Sequence, residues 1–294
     1  MAESLSEAND ISAYLVSNFR KRVGVRHKYH RVVFLHISKT GGRAFEQFAS
    51  SLPYVKLTKE PSKLDYLTSK MPRETVEVVT YHVNCKNTAQ DVIARFADYK
   101  RNLDARGVSL WLTLAFRNPI DHFISQFRWH LKMFTGQPKR FGVVGTRKQC
   151  RENFLTTLLN FVHMYPCGGF SPQSTWLFDF IDGILRQQTD FMLFERTDAL
   201  LKLYRMLDFA FMFETFTADL HFFFHYGLLL NATHFPQALP RKNANAPKSS
   251  KIRNGDELLA RCPAAKTEID KRLCFDKHVY SALMKAEQAL IHGV

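Results

Sequence analysis

The chain is poor in cysteine and has no long apolar run, and each absence narrows what it can be. Five cysteines occur in 294 residues, and none forms a Cys-x-x-Cys pair of the kind that holds a thiolate zinc site. No paired-carboxylate signature indicates another metal, and no metal is expected. No stretch approaches the roughly 20 apolar residues of a transmembrane helix. The Walker A loop, Gly-x-x-x-x-Gly-Lys-Ser/Thr, is missing too, which argues against a P-loop kinase of small molecules.

Acidic residues are also in the minority. The 27 Asp and Glu residues against 41 Lys and Arg leave a net charge of +14. This excess favours an anionic partner such as a bisphosphorylated nucleotide, a sulfated or uronic glycan, or nucleic acid. The basic clusters at 20–22, 139–140 and 147–148 are short and separated, as solvated surfaces often are. With 46% hydrophobic residues, the chain can bury the core of one domain or at most two.

The most informative segment combines a strand, a glycine turn and a helix without a gap. Residues 32–37 form a continuous run of β-branched or bulky side chains, which predicts a strand covered on both faces of a mostly parallel sheet. Gly41 and Gly42 then allow a left-handed or close-approach turn. Apolar side chains recur at helical spacing after the turn, at Phe45, Phe48, Ala49 and Leu52. The order therefore predicts a helix whose N-terminus faces the turn.

Such a turn suits an anion. Successive backbone amides form a concave nest, and the helix N-terminus adds free N–H donors and the positive end of its dipole. Lys39 supplies a mobile positive charge that can follow a developing negative oxygen. The alternative is an ordinary glycine turn between a core strand and a helix, with Lys39 in solvent.

Residues 34–45, Phe-Leu-His-Ile-Ser-Lys-Thr-Gly-Gly-Arg-Ala-Phe, resemble the 5′-phosphosulfate-binding loop of sulfotransferases. Carbohydrate-directed members of that family read Phe-Leu-His-Ile-Pro-Lys-Thr-Gly-Gly-Thr-Ser-Phe/Leu. This chain has Ser38 in place of the proline and Arg43-Ala44 in place of the Thr-Ser pair, and a guanidinium can bind an oxyanion bidentately. The resemblance implies that the donor contacts are Ser38, Lys39, Thr40, Gly41, Gly42 and Arg43.

A second motif follows another apolar run, 109–116, and begins at Arg117. Pro119 suits the first turn of a helix, and an apolar stripe continues at helical spacing through Ile120, Phe123, Ile124, Phe127 and Leu131. Arg117 would then lie at the carboxyl end of a strand, and Ser125 about 9 Å along the helix from Pro119. Arg-Asn-Pro with a serine eight residues after the arginine resembles the family's 3′-phosphate-binding segment. Taken singly, Arg117 could simply pair with a carboxylate, and Ser125 could simply face water.

A base must remove the proton of the acceptor hydroxyl. His82 falls at the end of a strand predicted from Val76 onward, and histidine titrates near neutrality. In the glycan 2-O-sulfotransferases that the chain resembles, a His-Val at the end of the second strand is the catalytic base. A histidine there can equally be structural. His36, His122 and His130 are alternatives, His36 being expected to orient the loop.

The resemblance implies in-line transfer of a sulfuryl group from 3′-phosphoadenosine 5′-phosphosulfate (PAPS) to a hydroxyl, leaving 3′,5′-adenosine bisphosphate (PAP), with a glycan as the expected acceptor. Lys39 would neutralise the leaving oxygen, and no metal is required. Nucleic-acid or polyanion binding without catalysis is the alternative from another class. Nucleic acid is not expected, because most of the 26 phenylalanines lie in apolar runs rather than between basic residues.

The overall expectation is an α/β fold with a P-loop-like, mostly parallel sheet of about four to five strands flanked by helices. Further strands are predicted at 190–195 and 209–213, and helices at 198–207 and 215–230. The basic, proline-containing loop 239–250 resembles the family's lid over the nucleotide, with Lys242 as its expected contact.

The expected organisation is an N-terminal leader at 1–30 and one sulfotransferase-type domain at 31–294, with an irregular insertion at about 133–174. Glycan sulfotransferases are generally anchored Golgi proteins. The expected location is therefore the Golgi lumen if an anchor has been removed, and the soluble cytoplasm otherwise.

Overall fold

The apolar runs of the sequence form one parallel sheet. The computed structural model describes residues 2–25, 27–37, 39–59, 75–82, 88–133, 201–237, 259–260 and 263–293, with the backbone alone at 2–9, 82, 88–94, 129–133, 268 and 271–272. The strands are β1 (Tyr29–His36), β2 (Val55–Lys59), β3 (Val76–His82), β4 (Val108–Phe116) and β5 (Phe209–Met212). Their order is β2-β3-β1-β4-β5, and every pairing is parallel. The expected α/β architecture with a parallel sheet and flanking helices is confirmed.

The helices fall into two compact units. Their bounds are α1 (Ala2–Val23), α2 (Gly42–Ser51), α3 (Thr88–Asp104), α4 (Pro119–Met133), α5 (Phe216–Phe222), α6 (Pro263–Arg272) and α7 (Cys274–Ile291). The first unit holds the sheet, α1 to α3, α5 and α7 from residue 278 onward. The second unit holds α4, α6 and the start of α7.

The core on one face of the sheet is largely aromatic. Phe34 of β1 stacks on Phe45 of α2 with ring centroids 3.8 Å apart, and both rings are fully buried. The ring centroid of Phe211 in β5 lies 5.3 Å from that of Phe45. Phe19 of α1 packs against this same cluster, which also includes Trp111 of β4. Because aromatic side chains bury large apolar areas, this layer fixes α2 and the turn before it against the central strand.

A buried ion pair fixes the register of the central strands. Arg31 of β1 stands opposite Glu77 of β3, and its Nε and Nη2 donate to Glu77 Oε2 at 3.0 and 2.6 Å. Thr58 of β2 donates to the other carboxylate oxygen at 3.3 Å. A slip of one residue would turn these charges toward the opposite face, so the contact sets where the strands end.

Several elements differ from the expectations in their bounds. The strand β1 begins at Tyr29 rather than Val32, and β5 ends at Met212, so that Phe213 lies just beyond it. The helix expected at 215–230 is shorter and changes type: α5 passes directly into a π-helix, Phe223–Gly227. That wider turn accompanies three successive buried phenylalanines at 222–224.

Other expectations meet different outcomes. The segment 1–30, expected as a leader, contains α1, whose Phe19 is buried in the core. Residues 201–206 are helical within the helix expected at 198–207. The strand expected at 190–195, the lid 239–250 and residues 134–174 of the insertion lie outside the described residues.

Candidate anion-binding site

The two sequence motifs follow neighbouring strands at one edge of the sheet. β1 is central and pairs with β3 on one side and with β4 on the other. The chain leaves β1 toward β2, whereas β5 lies beyond β4 on the opposite side, so the strand order reverses between β1 and β4. Ligands of open α/β sheets bind outside the carboxyl ends of the strands at such a reversal. The loops that carry Lys39 and Arg117 both begin there.

The turn after β1 is held by its own backbone and one hydroxyl. Buried Thr40 donates its Oγ1 proton to the Ile37 carbonyl at 2.9 Å. Lys39 and Gly41 have φ of 69° and 101°, both in the left-handed region. The amides of Ala44 and Phe45 donate to the Gly41 carbonyl at 2.8 and 3.1 Å. The chain therefore bends sharply into α2, and the glycine at 41 is required by its φ.

The N-terminus of α2 is suited to an anion. Gly41 stands at the N-cap and has no side chain to cap the helix, and the first turn contains no acidic residue. Because the Ala44 and Phe45 amides bond to the Gly41 carbonyl, the amides of Gly42 and Arg43 and the positive end of the dipole are the groups directed at the loop. Arg43 follows in that first turn and is exposed, while Lys39 is half-buried.

The ring of His36 occupies the space that a side chain at position 42 would need. A Cβ added to Gly42 would lie 2.0 Å from His36 Cδ2 and 2.1 Å from its Nε2. His36 Nδ1 is 3.8 Å from Glu46 Oε1, and Glu46 also pairs with Lys59 at the end of β2. The ring therefore packs between the end of β1 and the start of α2, where it contributes to the shape of the turn.

Phe213 contacts both motifs. Its ring carbon Cδ2 would be 3.2 Å from a Cβ on Gly41, and the Arg117 Cζ lies 4.4 Å from the ring centroid. The amide of Phe213 donates to the Phe116 carbonyl at 2.8 Å, which ties it to the end of β4. The glycine turn and Arg117 thus lie against one aromatic ring, whose residue is 38% exposed.

For the other predicted site residues, the structure gives a backbone position, a burial or no description at all. His82 ends β3, and its backbone stands opposite His36 on the neighbouring strand, about 4.8 Å away. Ser125 lies on α4 in the second unit and is half-buried. That helix starts as expected at Pro119, with the Asn118 side chain accepting the Ile120 amide proton at 3.0 Å. Ser38 and Lys242 are outside the described residues, as are the side chains of His82 and His130.

A buried carboxyl pair near the site was not predicted. Asp219 Oδ2 accepts the Met212 amide proton at 2.6 Å and the Thr215 hydroxyl proton at 3.2 Å. Burial raises the pKa of Asp219 to about 8, and the neighbouring carboxyl of Glu287 of α7 raises it further. An acid four residues after a threonine hints at a capped turn, but nothing local indicates a partner at position 287.

Two kinds of site are not found in the described part of the chain. None of its helices combines the length and the apolar character needed to cross a membrane. Its His, Cys, Asp and Glu side chains form no group of three or more arranged to hold a metal ion.

Comparisons with protein-family models, with curated proteins and with solved structures found no match to this chain. The interpretation of the site therefore depends on its own geometry and chemistry.

Proposed function

We propose that this chain is a sulfotransferase that moves a sulfuryl group from PAPS to a hydroxyl of a carbohydrate acceptor, on a P-loop-like sheet. The observation that carries the proposal is the contact of Phe213 with both the Lys39 turn and Arg117. An anion bound at the turn and a second one bound by Arg117 would be neighbours. A nucleotide with phosphates at both its 3′ and 5′ positions has two such anions on one ribose.

Each group has a role in this reaction. The α2 amides and Arg43 would hold the 5′-phosphate, and Arg117 would hold the 3′-phosphate. The bond between sulfur and the 5′-phosphate oxygen breaks as the acceptor oxygen bonds to sulfur. Lys39 would neutralise the charge on the leaving oxygen, and His82 would take the acceptor proton. The products are the sulfated acceptor and PAP.

Ligand-dependent unfolding tests donor binding without knowledge of the acceptor. We expect PAP to raise the unfolding temperature, since a ligand at 100 times its Kd stabilises a protein by about 2.7 kcal/mol. Adenosine 5′-monophosphate, which lacks the 3′-phosphate, should stabilise less, and the difference should disappear in Arg117→Ala. Equal stabilisation by both nucleotides, or a larger effect of a single-stranded oligonucleotide, would contradict the proposal. A screen of glycan acceptors with radiolabelled PAPS then identifies the hydroxyl that is sulfated.

Polyanion binding without catalysis is the second candidate, and one groove favours it. Helix α1 and the later part of α7 enclose a shallow groove of about 890 Å³ lined by Ser12, Ser17, Arg20, Lys21 and Lys285, among others. Among the described residues, no carboxylate pairs with any of these three cations. Unpaired cations beside hydroxyl groups suit the sulfates or carboxylates of a linear glycan.

Charge reversal tests this groove. We expect Arg20→Glu with Lys285→Glu to weaken binding of a sulfated oligosaccharide at least tenfold, because two attractions become repulsions. The matched control reverses exposed Lys28 and Arg95, which changes the net charge equally outside the groove. Calorimetric titration at fixed salt gives both affinities, and equal losses in the two variants would leave only a general charge effect. The non-catalytic candidate requires in addition that PAP bring no stabilisation.

A further inference from the structure

We propose that Asp219, with Glu287 beside it, is a positioning residue of the candidate donor site and holds the turn after β5 so that Phe213 supports both the glycine turn and Arg117. This inference rests on the proposed function where it concerns the donor, and on geometry alone where it concerns the turn. Neither carboxyl belongs to either sequence motif.

The pair connects three elements of the first unit. Asp219 lies in the first turns of α5 and is fully buried, and Glu287 of α7 is 4% exposed. Asp219 Oδ2 accepts the amide proton of Met212, the last residue of β5. Its other oxygen, Oδ1, is buried and accepts no hydrogen bond in the described structure. The carboxyl of Glu287 is a close electrostatic neighbour of Asp219. Asp219 therefore anchors the end of β5 to the start of α5 through hydrogen bonds from Met212 and Thr215.

The anchored turn carries the residues that contact the glycine turn. Phe213 follows Met212 directly, and Phe216 begins α5. Their rings would lie 3.2 and 3.4 Å from a Cβ on Gly41. Phe213 also lies under the guanidinium of Arg117. A movement of the 213–216 turn would thus change the packing of both predicted anion contacts at once.

Two carboxyls buried close together favour a proton on one of them. Burial is the main reason that the pKa of Asp219 is raised to about 8, and the neighbouring Glu287 also raises it. The hydrogen bonds from the Met212 amide and the Thr215 hydroxyl lower this pKa, but by less. The raised pKa favours the protonated form near neutral pH. The pKa of Asp219 in the folded chain lies above the unfolded value of 3.8. Protonated Asp219 therefore contributes its full share of folding stability below about pH 4, and this contribution is lost as pH rises through about 8.

Hydrogen exchange in three versions of the chain tests the positioning role. In Asp219→Ala we expect the amides of Phe213, Ala44 and Phe45 to exchange at least tenfold faster, since the turn loses its anchor. Amides between β2 and β3 should keep their protection. Asp219→Asn is the matched control, because its carbonyl can accept from Met212 and its NH₂ can donate to Glu287. Exchange in this variant should stay within about twofold of the original chain at pH 7.

The results test two things separately: the positioning role of Asp219 and the proposed function. Acceleration spread evenly over the sheet, or equal acceleration in the Asn and Ala variants, would overturn the positioning role in favour of a merely structural one. The affinity for PAP is then measured from pH 7 to pH 9. We expect it to fall in the original chain as Asp219 ionises and to fall less in Asp219→Asn. Local acceleration without any PAP binding by the original chain would refute the proposed function while leaving the positioning role intact.

Discussion

Replacing Lys39 with alanine is expected to lower turnover by at least 10²- to 10³-fold, because loss of one group that stabilises transition-state charge has this effect in other enzymes. Lys39 lies in the turn between β1 and α2, at the carboxyl edge of the sheet. In the proposed reaction the leaving oxygen gains negative charge as its bond to sulfur breaks, and the backbone amides cannot supply a full positive charge. Initial rates with radiolabelled PAPS and a glycan acceptor measure the loss.

The backbone at position 39 requires its own control. Its φ of 69° is a conformation that few side chains adopt readily, so a substitution can alter the turn as well as the charge. Asparagine tolerates this region better than alanine. Lys39→Asn should therefore lose turnover as severely as Lys39→Ala while unfolding at the same temperature as the original chain. If either variant kept more than a tenth of the turnover, Lys39 would not have the assigned role.

His82→Ala separates the proposed base from the donor contacts. It should lose turnover and keep its affinity for PAP, because His82 ends β3 rather than either of the two motif strands. Near-normal turnover in this variant would mean that another group removes the acceptor proton.

The local parts of the site could be predicted from the sequence because they depend on short-range order. A continuous apolar run followed by glycines specifies a strand and a turn within a dozen residues, and Pro119 marks a helix start by its own geometry. The two loops could then be placed at one edge, because the strands of a parallel sheet end on the same side. The left-handed φ of Gly41 is the kind of conformation for which glycine was expected there.

The contacts that join these parts could not be predicted. Phe213 reaches Gly41 and Arg117 because β5 lies beside β4, and strand order depends on how the whole sheet packs. The carboxyl pair joins positions 219 and 287, which share no motif. Helix α1 was expected as a leader because its sequence is largely polar, although Ile11, Leu15 and Phe19 form an apolar stripe with a spacing of four that could have indicated its buried face.

Gly42→Ala is expected to lower the free energy of unfolding by about 2–3 kcal/mol and to weaken PAP binding, since overpacking a closed site costs up to that amount. The added methyl would overlap the His36 ring, with carbon positions only 2.0 Å apart. The ring is mostly enclosed, with 11% of its side chain exposed, and has little room to move aside. Urea unfolding measures the stability, and titration with PAP measures the consequence for the turn.

Gly107→Ala provides the comparison for Gly42→Ala. Gly107 has φ of 74° and nothing within 4 Å of its added Cβ, so alanine there introduces backbone strain without overlap, about 1–2 kcal/mol. It precedes β4, at the end of the sheet opposite the candidate site, and should leave PAP binding unchanged. A loss of PAP binding in Gly107→Ala would mean that reduced stability alone weakens the site.

The cause of the Gly42 effect can be isolated with a double-mutant cycle. If overlap with the ring is responsible, adding His36→Ala to Gly42→Ala should recover about 1–3 kcal/mol relative to the sum of the two single changes, because the two groups compete for the same space. Additive losses would show that position 42 requires glycine for another reason, such as close approach of the backbone to the anion. In that case the double variant would regain no affinity for PAP, whereas relief of the overlap should restore part of it, since the turn could then take its original path into α2.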